Sequence, residues 1–203
     1  MLAAAGALLL APVMALAGLY QAQQMEFGAA LELKANGTFR YQLDYGAVSE
    51  HAEGRWTSEG GIVRLTTQPR PVSPKFELIH DDPAPPGEIS IAVEPPGLGE
   101  GLRPDAIATG VASHEQRLVE TDTDGRVQAD ARSIAALELL VPIYGSSAGR
   151  FDLDPRRGHR LLLRFHANDL TTANFDREPL MAGRNGLVLK RYDTEIRFMR
   201  VRP

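Results

Sequence analysis

An all-β fold is predicted for these 203 residues, and three observations carry the prediction. From Leu31 to Trp56 (LELKANGTFRYQLDYGAVSEHAEGRW) apolar and polar side chains alternate: Leu31 and Leu33, then Phe39, Tyr41, Leu43 and Tyr45 against Thr38, Arg40, Gln42 and Asp44. Period two marks strands with one buried face. Ala136 to Ile143 (ALELLVPI) is the most continuously apolar segment outside the N-terminus, as a strand buried on both faces would be. Beyond the first 17 residues no stretch sustains a 3.6-residue apolar period, which removes most of the weight from the α/β classes. The expected organisation is a signal peptide at 1–17, a small meander or partly open barrel at 18–82, a Pro-rich linker at 83–87 and a β-sandwich-like domain at 88–203.

The first 25 residues carry no charged side chain, and Ala3 to Ala17 is almost wholly apolar or small. Ala15-Leu16-Ala17 fits the small-x-small rule for cleavage of an export signal. The mature chain is therefore expected to begin at Gly18, in the periplasm or outside the cell, with no integral span. No Lys or Arg precedes the apolar run, as one would in a signal, so an uncleaved anchor is the alternative; the run sits at the short end of the roughly 17–25 residues that a span requires.

Gly18 to Gln23 reads as a first short strand. Asn36-Gly37 is read as a type I′ turn leading into the strand Thr38 to Tyr45, which ends at Gly46. A short loop through Ser49, Glu50 and His51 then leads to Gly54-Arg55-Trp56. Trp56, the sole tryptophan, is expected to plug one end of the barrel. Glu59-Gly60-Gly61 is a turn before the strand Ile62 to Thr66. Pro69, Pro71 and Pro74 bracket the start of Lys75 to His80, and Asp81-Asp82-Pro83-Ala84-Pro85-Pro86-Gly87 reads as the linker.

The series Gly18-x-Tyr20, Leu31-x-Leu33, Asn36-Gly37-x-Phe39, Tyr45-Gly46, Gly54-x-Trp56 and Ile62 to Thr66 resembles the lipocalin-like small barrels of bacterial envelope proteins. In order and spacing it is similar to the N-terminal domain of the copper-resistance and envelope-stress lipoproteins. The resemblance covers about 65 residues and departs at the family's Cys-x-x-Cys and lipid-bearing cysteine, since this chain has no cysteine at all. Thiol chemistry, metal sensing and lipid attachment are therefore not carried over, and neither is any disulfide framework.

After the linker the alternation resumes at Glu88 to Val93, followed by extended runs at Ala106 to Ser113 and Arg117 to Thr121, a tight turn at Asp122-Thr123-Asp124-Gly125-Arg126, and Ala136 to Ile143. This order resembles the transthyretin-like sandwich domains that accompany carboxypeptidases and surface proteins, a resemblance that implies surface interaction without catalysis. Arg160 to Phe165 is a further strand, and Asn168 to Arg177 holds at most a short helical turn. Asn185-Gly186 opens a closing hairpin, Leu187 to Arg191 and Ile196 to Arg200, with its turn at Asp193-Thr194. In that register Leu189 pairs with Phe198, and Lys190 meets Arg197 on the outer face. Like charges so placed suit an anion, so Lys190, Tyr192 and Arg197 are the candidate anion contact.

Charge is unevenly spread. Residues 18–85, 86–149 and 150–203 carry net charges of −3, −6 and +5 by count, within a total of −4 and a pI near 5.8. Nucleic acid is not an expected partner, because phosphate binding needs a concentrated cationic surface. Gly145-Ser146-Ser147-Ala148-Gly149 is a literal Gly-x-Ser-x-Gly with Ser147 as the candidate nucleophile, and Asp152 or Asp154 with His159 or His166 would complete a Ser, Asp, His order. Such an elbow works where a strand turns into a helix, and no helix is predicted after it. The five histidines lack metal-ligand spacing, and Gly125 follows Asp124 directly, unlike the calcium loop. No metal or cofactor is expected. The leading function is a non-catalytic secreted or envelope module that contacts protein, glycan or lipid. The alternative is a carrier of a small apolar ligand in a cavity lined by Phe39, Tyr41, Tyr45 and Trp56; a serine hydrolase using Ser147 stands third.

Overall fold

The structure, a computed structural model, describes residues 16–24, 27–94, 104–141, 144, 146–183 and 186–202. The export-signal reading of residues 1–17 therefore lies almost wholly outside the described residues. In chain order the strands are β1 (Gly18–Gln24), β2 (Phe27–Leu33), β3 (Thr38–Tyr45), β4 (Val48–Glu59), β5 (Ile62–Thr67), β6 (Lys75–Ala84), β7 (Ile89–Glu94) and β8 (Asp105–Gly110). They continue as β9 (Gln116–Val119), β10 (Ile134–Val141), β11 (Ser146–Asp152), β12 (Gly158–His166), β13 (Glu178–Ala182), β14 (Gly186–Arg191) and β15 (Thr194–Arg200). The all-β prediction holds.

The chain forms two compact units, Met1–Pro71 with Thr171–Pro203, and Val72–Leu170. The first is a closed antiparallel barrel of eight strands in the order β1-β15-β14-β13-β5-β4-β3-β2. The expected boundaries at 82 and 88 are thereby corrected: the last three strands belong with the first five, and the sandwich-like unit is an insertion in the sequence between β5 and β13. The expected linker is also corrected. Asp81, Asp82, Pro83 and Ala84 lie in β6 and pair with Leu161 to Gly158 of β12. Pro83 fits there because β6 is an edge strand, where a missing N–H costs no ladder bond.

Two turns differ from their predicted types. Lys34 N–H donates to the Thr38 carbonyl at 2.8 Å, so the β2–β3 loop holds three residues, with Gly37 at φ +81° and the Asn36 side chain accepting from Thr38 N–H at 3.0 Å. That is the three-residue hairpin with a left-handed glycine, in place of the two-residue type I′ turn. In the closing hairpin the tip is Tyr192-Asp193, both at positive φ, so Leu187 pairs with Phe198, Leu189 with Ile196 and Lys190 with Glu195. The predicted register is off by two, and Lys190 does not face Arg197.

β4 runs unbroken for 12 residues after a tight turn at Gly46-Ala47, so Glu50 and His51 are strand residues and not a loop. Its half nearest that turn extends past β5, and residues 171–173 fill the edge: His51 N–H donates to the Thr171 carbonyl at 2.9 Å, and Ala173 N–H to the His51 carbonyl at 2.8 Å. No helical turn forms in 168–177. Further along, Phe175 enters the core and Thr67 Oγ1 donates to the Ala173 carbonyl at 2.7 Å.

Inside the barrel Leu31, Leu33, Phe39, Leu43, Trp56, Val63, Leu65, Phe175 and Phe198 are among the buried side chains of one continuous cluster. Trp56 closes one end as expected, its indole N–H donating to the Lys34 carbonyl at 2.9 Å. At Gly54 of β4 an added Cβ would lie 2.1 Å from the Thr66 carbonyl oxygen and 2.7 Å from Gln68 N. Gly54→Ala is therefore expected to cost about 3 kcal/mol, the upper range of overpacking, read as a lower urea midpoint by the fluorescence of Trp56.

The inserted unit has two sheets, β11-β10-β8-β9 and β6-β12-β7, whose inner faces share one core that includes Ile89, Leu137, Leu139, Leu161 and Leu163. β10 is central and mostly buried, as its composition predicted. The Asp122–Arg126 turn is also as read, with Gly125 at φ +79° and Asp122 Oδ1 accepting from Asp124 and Arg126 N–H.

Candidate contact site at the barrel mouth

The antiparallel registers bring the β1–β2 connection, the Gly46-Ala47 turn and the Tyr192-Asp193 turn to one end of the barrel, opposite Gly18 and Trp56. This end is the mouth, and the other is the base. Position parity puts two charges inside it. Glu50 shares the inward face of β4 with Ala52 and Trp56, and Arg191 follows Leu187 and Leu189 on the inward face of β14.

They meet as a fork. Arg191 Nε donates to Glu50 Oε2 at 2.9 Å and Arg191 Nη2 to Oε1 at 2.7 Å, with Glu50 6% exposed. Tyr192 donates its hydroxyl proton to the same Oε1. The Arg191 guanidinium lies 5.3 Å from the Phe175 ring centroid and 4.9 Å from that of Tyr192. Two aromatic rings within cation–π range and a bidentate carboxylate together satisfy a cation withdrawn from water. Although burial opposes its charge, the bond to Glu50 holds the Arg191 guanidinium above its usual range.

Tyr41 stands beside this cluster, its ring 5.0 Å from that of Phe175. Its hydroxyl is buried and has no hydrogen-bond partner among the described residues. Burial and then the Glu50 carboxylate raise its pKa. A buried hydroxyl without a partner is a cost to the fold, so Tyr41→Phe is expected to leave the barrel as stable or about 1–2 kcal/mol more stable in urea.

Burial and then the bond to Glu50 push the Tyr192 hydroxyl up to about 12. Its neutral form is thus favoured in the fold. The associated stability is complete below about pH 10, where an unfolded tyrosine ionises, and is lost as pH rises through about 12. Urea midpoints taken from pH 9 to 12 should fall over that interval, and fall less steeply in Tyr192→Phe.

The rim is aromatic. Tyr45 is 6.4 Å from Tyr192 and 6.0 Å, edge-on, from Phe27. The hairpin tip borders an open concavity of about 490 Å³ lined by residues 190–195.

The sequence candidates are thus divided. Phe39, Tyr41 and Trp56 lie in the barrel core, while Tyr45 is 36% exposed at the rim. Lys190, Tyr192 and Arg197 do not form one cationic face: Lys190 is opposite Glu195, Arg197 Nη2 donates to Glu195 Oε2 at 2.5 Å, and Tyr192 is engaged by Glu50. Ser147 is exposed within β11, an edge strand; Gly145 is outside the described residues, and the segment that follows Ser147 is the rest of that strand, not a helix.

The histidines proposed as its partners are occupied. His159, buried in the inserted unit, has Nδ1 2.9 Å from Asp81 Oδ2 and Nε2 3.0 Å from the Asp154 carbonyl, with Arg157 on the same Asp81. His166 Nε2 is 2.7 Å from Glu77 Oε2. Glu50, Arg191 and Phe175 are the site residues that sequence reasoning missed.

No protein-family model, curated protein or solved structure matches this chain. Its function is therefore read from geometry. Among the described residues no group of three or more His, Asp or Glu side chains could hold a metal ion, and no helix is long and apolar enough to cross a membrane.

Proposed function

We propose that this chain is a non-catalytic module of the bacterial envelope, or one secreted from it, that acts by contacting a protein, glycan or lipid partner. The observation that carries the reading is the filled barrel: Phe39, Tyr41 and Trp56, which would line a carrier's cavity, are buried among Leu31, Leu43, Leu65, Phe175 and Phe198. Contact then falls to outer surfaces, foremost the mouth, where Tyr45 and Tyr192 are partly exposed and Lys190 and Glu195 border the hairpin-tip concavity with Tyr192. Partly exposed tyrosines near charged side chains suit protein and glycan surfaces. Export is supported by the uncharged N-terminal stretch. The barrel is read as akin to the lipocalin-like envelope barrels, without their cysteine chemistry, and the inserted unit as akin to transthyretin-like sandwiches.

One observation favours the carrier as a second reading. The Tyr41 hydroxyl is the kind of group that a polar ligand atom would satisfy. Native mass spectrometry of protein taken from its host envelope separates the two. A co-purifying chain or glycan is the expected result. A small adduct that is lost on denaturation and absent from Tyr41→Phe would replace the contact module by the carrier.

A further inference from the structure

The strand registers sort the charges on the outer face of β2, β3 and β4 into rows. Lys34 N–H donates across the hairpin to the Thr38 carbonyl, and Thr38 is opposite Arg55, so Lys34, Thr38 and Arg55 make the row nearest the β2–β3 hairpin. In the next row Arg40 stands between Glu32 and Glu53. Three cations thus surround the short side chain of Thr38. Gly54 supplies a further wall: with no Cβ in the way, Gln68 comes up against β4 and donates its N–H to the Glu53 carbonyl at 3.0 Å. The result is an open concavity of about 300 Å³ lined by Lys34, Thr38, Arg40, Glu53, Arg55 and Gln68, at the small end of the range for ligand pockets.

These cations are loosely compensated. Lys34 Nζ is 3.6 Å from Glu32 Oε2 and Arg40 Nε is 3.9 Å from Glu53 Oε2, both longer than a hydrogen bond. Arg55 has no ion pair among the described residues. Exposed pairs of this kind hold their partners weakly. Arg40 and Arg55 are diagonal neighbours on adjacent strands, about 7–8 Å apart, and an anion between them would relieve their repulsion.

The groups beside the cations are hydrogen-bonding ones. Thr38 spends its hydroxyl proton on Asn36 Oδ1 at 2.7 Å and so presents an oxygen, while Glu53 presents a carboxylate and Gln68 an amide. Such a mixture matches a molecule that carries a negative group and hydroxyls on one ring. Phe39, the apolar side chain in the lining, is 1% exposed, so the concavity offers no apolar anchor to a bilayer or to the core of a protein interface.

We infer that this concavity binds an acidic glycan, with the carboxylate of a sugar residue held between Lys34 and Arg55 over Thr38, Arg40 beside it, and the sugar hydroxyls bonded to Glu53, Gln68 and Thr38. The inference rests on the contact-module reading above and gives it a ligand class and a second surface. It also moves the anion contact from the closing hairpin, where Glu195 engages Arg197, to the β2–β4 face.

The test is titration calorimetry of the full chain with a galacturonic acid oligomer and with the same oligomer after its carboxylates are reduced to alcohols. The acidic oligomer should bind, more weakly as salt is raised, and the reduced one about tenfold or more less tightly, the effect of losing one charged hydrogen bond. Arg55→Gln and Lys34→Gln should each weaken the acidic oligomer by a similar factor with the urea midpoint at Trp56 unmoved, whereas Arg117→Gln, in the inserted unit, should bind as the parent does. Equal binding of the reduced oligomer, or binding indifferent to Arg55→Gln and Lys34→Gln, would overturn the inference and leave the contact-module reading intact. Vesicles of anionic phospholipid held by these residues, with no binding of the oligomer, would assign the site to a membrane surface and overturn the glycan class. Binding of neither probe would refute the site; the contact-module reading itself falls only if native mass spectrometry returns the small adduct described above.

Discussion

A chain ended after Leu170 is expected to lose its barrel while keeping its inserted unit. The removed residues supply β13, β14 and β15, three of eight staves, together with Phe175. Burial of Leu180, Leu187, Leu189, Ile196 and Phe198 alone represents ~8–15 kcal/mol at roughly 1.5–3 kcal/mol each, comparable with the entire stability of a domain. The edges of β1 and β5 would also be left unpaired. Trp56, the one tryptophan, reports the barrel alone, so its emission should shift to that of a solvated indole. Circular dichroism should retain one cooperative transition from residues 72–170. If Trp56 stayed buried with a cooperative urea transition, the barrel would not need its last three strands, and the contiguous division at residue 82 would be restored.

Replacing Glu50 by alanine is expected to destabilise the barrel by about 3–5 kcal/mol, the range for removing one member of a buried pair. The cost arises mainly at Arg191, left with a desolvated guanidinium between Phe175 and Tyr192 and no counter-charge. Tyr192 loses its acceptor at the same time. Removing both charges should cost far less than the single change: Glu50→Leu with Arg191→Met keeps the volume and leaves no orphaned ion. Urea curves followed at Trp56 measure both. A Glu50→Ala loss below about 1 kcal/mol, the level of an exposed pair, would mean that the mouth is wet and the fork ornamental.

What could be read from the sequence was local. The β2–β4 meander was legible because Leu31, Leu33, Phe39, Tyr41 and Leu43 alternate over a length that fits no helix. β10 was legible because its apolar run is long enough for a strand and too short for much else. Two failures share a cause in backbone conformation: Tyr192 and Asp193 both adopt positive φ without a glycine to announce it, so the turn was displaced and the register slipped by two. Pro83 announced a linker but occupies an edge strand.

The failures at longer range have a different origin. Glu50 and Arg191 are 141 residues apart, and neither carries a mark of its partner. A parity argument could have found them, since each shares the inward face with apolar neighbours. It required seeing Val48–Glu59 as one strand, which the polar run Ser49, Glu50, His51 concealed. That β15 closes against β1 has no local signature, because edge pairing is settled by which strands remain to be paired.

The contact of Tyr20 with Arg200 also sets an order of events in time. The inserted unit is a continuous stretch and can condense as soon as it is complete, whereas the barrel waits for β15 to be made. Contacts of such sequence separation form slowly, so the first five strands spend the longest interval exposed. A polypeptide in this condition can still be threaded through a narrow pore, and it becomes refractory to threading only when β1 and β15 meet.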